Sequence, residues 1–248
     1  MELANTAAIV TGAASGLGAA TAAALTAAGA TVHGFDLADF DGTAGFAGMR
    51  VDVTDPSAVR EAVAVVAGGP APLRVVVNCA GIAPSARILG RAGVHDLAMY
   101  AKVVQVNLIG TFNVMALAAE QIAATAPDAH GQRGVIVNTA SVAAYEGQVG
   151  QAAYASSKGG IVGLTLPAAR DLAQHGIRVM TIAPGIMLTP MLETVSEEYR
   201  KGLAAGVPFP ARLGTPAEYA ALALSIVAND YLNGEVIRLD GALRMSPR

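Results

Sequence analysis

The chain has 248 residues, 53% of them hydrophobic and 14% charged, with a mean hydropathy of +0.48, a net charge of −3 and a pI of about 5.8. That length and apolar content suit one folded α/β unit with a sizeable core and exclude a disordered chain. There is no dense Lys/Arg stripe, which argues against nucleic acid and acidic membrane surfaces as partners and leaves small molecules as the expected ones. No apolar run reaches the ~20 residues of a bilayer span without a Gly, a Pro or a charge. The lone Cys79 allows neither an intrachain disulfide nor a cysteine metal cluster. His33, His95, His130 and His175 lack metal-ligand spacing, so no metal is expected. Met1-Glu2-Leu3-Ala4-Asn5 carries no basic n-region, and a reducing, cytoplasmic setting is the expectation.

The first β-rich run is Ala7 to Thr11. It passes through Thr11-Gly12-Ala13-Ala14-Ser15-Gly16-Leu17-Gly18 into an Ala-rich segment that predicts a helix over Ala19 to Ala28. Glycines at a strand-to-helix turn let backbone approach a pyrophosphate, which the free N–H groups and dipole of the helix N-terminus can bind. A tight turn without a ligand is the plainer reading of the same spacing. The second run, Thr31 to Phe35, ends at Asp36, whose carboxylate is placed to bond both hydroxyls of an adenosine ribose. It would repel a 2′-phosphate, and none of Ala13, Ala14, Ser15 and Leu37 supplies a neutralising cation, which favours NAD over NADP.

Further runs at Arg74 to Asn78, Val135 to Thr139, Arg178 to Ile182 and Val236 to Asp240 are separated mostly by helical-length segments. The alternation predicts a single doubly wound Rossmann-type α/β domain, a parallel sheet with helices on both faces. Gly68-Gly69-Pro70 and Gly206-Val207-Pro208-Phe209-Pro210 read as loops, the second bordering a substrate cleft.

Tyr154 and Lys158 stand four residues apart in Ala153-Tyr154-Ala155-Ser156-Ser157-Lys158, in a chain with only three lysines. On a helix they share a face. A unit charge ~4 Å away at an effective dielectric of ~20 is worth ~4 kcal/mol, enough to bring a phenol down by roughly three pK units. That would make Tyr154 a general acid/base, where the alternative is an ordinary solvated face. Ser141 lies just past the Val135 to Thr139 strand, from where a hydroxyl can reach a cleft. Asn107, in Val103-Val104-Gln105-Val106-Asn107-Leu108-Ile109-Gly110, is either a site residue or a buried amide satisfying backbone groups.

The glycine loop, Asp52-Val53, Asn78-Cys79-Ala80-Gly81, Asn107, Ser141, Tyr154-x-x-x-Lys158 and Pro184-Gly185 span nearly the whole chain in an order that resembles the short-chain dehydrogenases/reductases. The segments from Asn138 to Gln151, from Gly176 to Gly185 and from Leu232 to Gly241 are most similar to its branch of type 2 3-hydroxyacyl-CoA dehydrogenases, which also act on hydroxysteroids. The chain departs from that branch in a shortened segment after Phe40 and in Ile186-Met187-Leu188.

The resemblance implies NAD-dependent interconversion of a secondary alcohol and a ketone, foremost (S)-3-hydroxyacyl-CoA and 3-oxoacyl-CoA. It implies Tyr154 as acid/base, Ser141 holding the substrate oxygen, Lys158 on the nicotinamide ribose and Asn107 supporting a water-linked proton path. Cofactor contacts are expected from Gly12, Ser15, Gly16, Leu17, Gly18, Asp36, Asp52, Val53, Asn78, Ala80, Gly81, Tyr154, Lys158, Pro184, Gly185, Ile186 and Thr189. Substrate contacts are expected from Ser141, Gln148 and Tyr154. For Gln148 and Gln151, loop hydrogen bonding is the competing role; Tyr145 is read as a packing or substrate-wall residue and Cys79 as a buried inert thiol. The cofactor part would span about residues 1–135 and the catalytic part about 136–248, in a homotetramer. A 3-oxoacyl-carrier-protein reductase, a hydroxysteroid or alcohol dehydrogenase and a non-catalytic dinucleotide-binding scaffold are the alternatives.

Overall fold

Strands β1 (Ala7–Thr11), β2 (Thr31–Asp36), β3 (Ala47–Arg50), β4 (Leu73–Asn78), β7 (Gly134–Thr139), β8 (Ile177–Pro184) and β9 (Val236–Leu239) form one parallel sheet in the order β3-β2-β1-β4-β7-β8-β9. A short antiparallel hairpin, β5 (Leu89–Gly90) with β6 (Gly93–Val94), stands apart from it. The computed structural model describes residues 1–40, 45–91, 93–189, 192 and 196–247; part of the short segment after Phe40, residues 41–44, lies outside the described residues. Because the winding direction reverses between β1 and β4, a crevice opens beyond the carboxyl ends of these two neighbours.

The sheet's two faces explain the continuous apolar runs. Ala8, Val10, Val75, Val77, Val135, Val137, Met180 and Ile182 pack with Leu25 of α1 (Gly16–Ala27) and with Tyr219 and Ile226 of α8 (Pro216–Ala228). Their sequence neighbours Ile9, Val76, Ile136 and Val179 turn to the other face, against α2 (Pro56–Ala67) and α4 (Thr111–Ala123). Every residue of β1, β7 and β8 is buried, so no polar alternation survives in them. Each large side chain among them contributes about 1.5–3 kcal/mol on leaving water.

Local signals set the helix starts. Asp55 caps α2 by accepting from the backbone N–H of Ser57 at 2.8 Å and of Ala58 at 3.3 Å, with Pro56 next in line. Thr215 and Glu218 form a reciprocal capping box at α8, and Arg212 clasps Glu218 with bonds of 2.7 and 2.9 Å. The Arg212 guanidinium holds the Glu218 carboxyl down at about 2.

The structure departs from the sequence reading in four places. Helix α1 begins at Gly16 rather than Ala19, inside the glycine loop. The edge strand β3, Ala-Gly-Met-Arg, has no β-branched residue and three of its four residues are exposed, so it is formed by pairing with β2 alone. Strand β9 stops at Leu239, one residue before Asp240. Finally, α3 (Leu97–Val104) runs through a π-helical turn (Gln105–Gly110) into α4. The resulting 27-residue stretch is long and apolar enough, by length and composition, to cross a bilayer. Here Val103, Val114, Met115, Ala118 and Ile122 on it are buried against the core, while Lys102 and Gly110 interrupt its apolar run.

Candidate active site

The crevice is built from backbone. Thr11 Oγ1 accepts from the N–H of Cys79 at 3.1 Å and of Ala80 at 3.0 Å, tying the ends of β1 and β4 together. Gly12 has φ +66°, and a β-carbon on it would lie 2.9 Å from the Ala80 nitrogen. A β-carbon on Gly18 would collide with the Gly12 carbonyl oxygen, so the first turn of α1 sits directly on the loop. Ser15, the N-cap, makes no side-chain cap, which leaves the N–H groups of the first turn available to an anion. At the far end, Asp36 accepts from the N–H groups of Ala14 and Ala38, each at 3.0 Å, and is thereby fixed against the glycine loop.

Gly12, Ser15, Gly16, Leu17, Gly18, Asp36, Asp52, Val53, Ala80, Gly81, Tyr154 and Thr189 all line this cleft of about 440 Å³. Asp52 is held by Thr54, which donates to its Oδ1 from the backbone at 2.8 Å and from the hydroxyl at 2.7 Å. A glycine cradle, an open helix N-terminus and a carboxylate at the end of β2 fit a dinucleotide.

The cleft continues into a hollow lined by Ser141, Tyr154, Lys158, Pro184, Gly185 and Thr189. Helix α6 (Ala152–Ala173) brings Tyr154 and Lys158 to it, and the turn after β7 brings Ser141, fixed by an Ala143 N–H at 3.1 Å. Ser141 and Tyr154 line the same hollow. Burial raises the phenol's pKa above its usual value, and the neighbouring Ser141 hydroxyl draws it part of the way back. Lys158 is 4% exposed; burial lowers its ammonium to about 8.

Lys158 shares the hollow with Tyr154 on the same stretch of α6. Its Nζ lies 5.8 Å from the Tyr154 ring centre and donates to the Thr139 carbonyl at 2.7 Å.

Other expected residues lie away from the cleft. Asn78 is buried in the sheet and donates to Asn138 Oδ1 at 3.0 Å; its own Oδ1 is buried without a partner, and its side chain does not line the crevice. Ile186 faces a separate hollow with Val207, Pro210 and Arg212, which is where the Gly206 to Pro210 loop lies. Gln148 takes the loop role, donating from its side chain to the Ser246 carbonyl at 3.0 Å and from its backbone N–H to Gln151 Oε1 at 3.0 Å. Tyr145 is half exposed and stacks under the Arg238 guanidinium at 5.4 Å. Asn107 is fully buried behind the cleft wall.

Cys79 lines both cavities, and burial pushes its thiol pKa up. Phe35, Leu37, Val51, Ile82, Val106 and Met187 also line the site without having been expected there. Phe35 and Val51 directly precede the expected Asp36 and Asp52, a signal the sequence did carry; Val106 carried none.

Residues 6–200 match the short chain dehydrogenase family. The 3-hydroxyacyl-CoA dehydrogenase type-2 enzymes of Bos taurus and Homo sapiens are each 53% identical over 97% of this chain and 95% of their own length. The (3R)-3-hydroxyacyl-CoA dehydrogenase of Rattus norvegicus is 34% identical over 99% of the chain and 98% of its own length. A crystal structure of 3-hydroxyacyl-CoA dehydrogenase type-2 from Mycobacterium avium superposes with a TM-score of 0.94 at 45% identity, covering 98% of each chain. With this sheet, this cleft and these relatives, the chain belongs to the short-chain dehydrogenase family and is an oxidoreductase with a dinucleotide site and a small-molecule substrate.

Proposed function

We propose that the chain is an NAD-dependent dehydrogenase interconverting (S)-3-hydroxyacyl-CoA and 3-oxoacyl-CoA. The observation that carries this reading is the cluster of Ser141, Tyr154 and Lys158 in one hollow at the end of a dinucleotide cleft, in a chain 53% identical to type-2 3-hydroxyacyl-CoA dehydrogenases. Asp36, with no cation at Ala13, Ala14 or Leu37, supports NAD over NADP. The nicotinamide supplies the hydride acceptor and donor. Ser141 and Tyr154 hold the substrate oxygen; Tyr154 takes its proton in oxidation and returns it in reduction. Lys158 meets the ribose, and Asn107 supports the proton path from behind the wall.

The same reading includes a cytoplasmic homotetramer. Ile109 of the π-helical turn, Phe112 of α4 and Leu166 of α6 leave a 40–48% exposed apolar face, suited to a second copy, and the free thiol of Cys79 fits a reducing compartment.

A steady-state panel tests the substrate class. Purified protein should reduce acetoacetyl-CoA with NADH and oxidise the S enantiomer of a 3-hydroxyacyl-CoA in preference to the R. Preference for the R enantiomer, or activity confined to carrier-protein thioesters or to a hydroxysteroid, would assign it to another branch.

A further inference from the structure

We infer that Ser157 is a positioning residue that locks the catalytic turn of α6 to the π-helical turn carrying Asn107. The inference rests on the reading of Tyr154 as acid/base. Ser157 is fully buried between Tyr154 and Lys158 in sequence, so its hydroxyl must find partners inside the protein. It donates to the Tyr154 carbonyl at 2.7 Å and accepts from Asn107 Nδ2 at 3.0 Å. A helical serine bonding the carbonyl three residues back is common. The second bond, reaching 50 positions away to a buried amide, is not a local habit.

Asn107 has nothing to spare. Its Nδ2 also donates to the Ile82 carbonyl at 2.9 Å and its Oδ1 accepts from the Ile82 N–H at 2.8 Å, so both amide protons are in use. Its own carbonyl accepts from Thr111 Oγ1 at 2.8 Å. Among the described residues, the amide's hydrogen bonds therefore join the segment after β4, which forms the cleft wall, to α6 through the Ser157 hydroxyl. The wall and α6 meet again at Gly81, where a β-carbon would lie 3.1 Å from Asn107 Oδ1 and 3.7 Å from Lys158 Nζ. The residue that makes the contact belongs to a π-helical turn, whose widened register is costly in an otherwise regular helix and needs such a purpose.

Loss of the Ser157 hydroxyl frees the Tyr154 turn from the wall and strands one buried Asn107 N–H. Tyr154 is then held less closely against the substrate oxygen, while the glycine cradle and Asp36 are untouched. The expected signature is a kcat loss without a matching loss of NADH binding.

The test uses Ser157→Ala and the isosteric Ser157→Cys, with thermal melting read first so that rates refer to folded enzyme. With acetoacetyl-CoA and NADH, Ser157→Ala should lower kcat roughly tenfold, the effect of one lost hydrogen bond, and Ser157→Cys should fall between it and wild type. KM for NADH should stay within about twofold. In an Asn107→Ala background the same Ser157→Ala change should alter kcat by less than about twofold, because the bond is already gone. Wild-type kcat in folded Ser157→Ala and Ser157→Cys, or an undiminished Ser157→Ala effect in the Asn107→Ala background, would overturn the inference; if Ser157→Ala does not fold, Ser157→Cys carries the test. Failure of wild type to reduce acetoacetyl-CoA counts against the substrate reading alone, and the Ser157 ratios are then taken on the panel ketone that wild type does reduce.

Discussion

The Ser141 hydroxyl and the Tyr154 phenol share one hollow, where Ser141 draws the phenol's pKa back toward ionisation against burial. Two residues from different elements, the turn after β7 and the first turn of α6, thus meet in one hollow. Ser141→Ala removes that pull. Oxidation needs the phenolate, so the ascending, acidic limb of its pH profile should move to higher pH, and kcat should fall about 10²-fold. A profile measured with unchanged limb would show that Ser141 does not set the phenol's ionisation.

Cofactor choice depends on charge at Asp36. Asp36→Asn keeps one side-chain oxygen, so it can hold only one of the two bonds that Oδ2 accepts from Ala14 and Oδ1 from Ala38, and it removes the repulsion of a 2′-phosphate. The ratio of kcat/KM with NADH to that with NADPH should fall by about 10- to 100-fold. Equal efficiency with both cofactors in the wild-type enzyme would contradict the assignment of NAD.

Burial of the Lys158 ammonium carries a cost that pH can switch off. Its pKa is lowered to about 8 from 10.5, so between those values the unfolded chain holds a proton that the folded chain has released, and stability rises with pH across this window. Below pH 8 the cost is full. Lys158→Met should therefore be more stable than wild type at pH 7, by on the order of 1–3 kcal/mol, with the gap closing as pH rises toward 10.5. Parallel denaturant titrations at pH 7 and pH 10 check this; a gap that does not narrow would mean that the ammonium is not penalised. The same variant should bind NADH more weakly.

Assembly is tested at Phe112, 48% exposed on α4. Phe112→Glu should shift the sedimentation of a tetramer toward smaller species, since a buried carboxylate without a partner opposes association. A wild-type chain that sediments as a monomer would remove that part of the proposal.

Much of this was legible in the sequence because the same residues answer both to the backbone and to the ligand. Gly12 and Gly18 are glycines because two backbone turns touch there, and that same contact forms the cradle. Asp36 ends β2, whose five residues after the exposed Thr31 are buried or half-buried and whose last one emerges at the crevice. The less legible parts depend on contacts distant in sequence. Nothing within the run around Asn107 marks a π-helical turn, whose purpose is visible only when Ile82 and Ser157 are in place. Asn78 lies close to Ala80 and Gly81, which line the cleft, but strand alternation turns its side chain into the sheet. The Tyr154–Lys158 spacing placed both residues on one face and in one cavity, yet could not show that the lysine would reach for the Thr139 carbonyl. Short edge elements such as β3 carry too little apolar pattern to be seen from sequence.

The central claim is that Tyr154 transfers the proton in a 3-hydroxyacyl-CoA dehydrogenase. Tyr154→Phe removes the ionisable oxygen alone. Measured together, NADH binding by fluorescence titration and NADH-dependent reduction of acetoacetyl-CoA should separate, with affinity within a few-fold of wild type and kcat down by about 10²–10⁴-fold. Near wild-type turnover in Tyr154→Phe, with NADH still bound, would contradict the account.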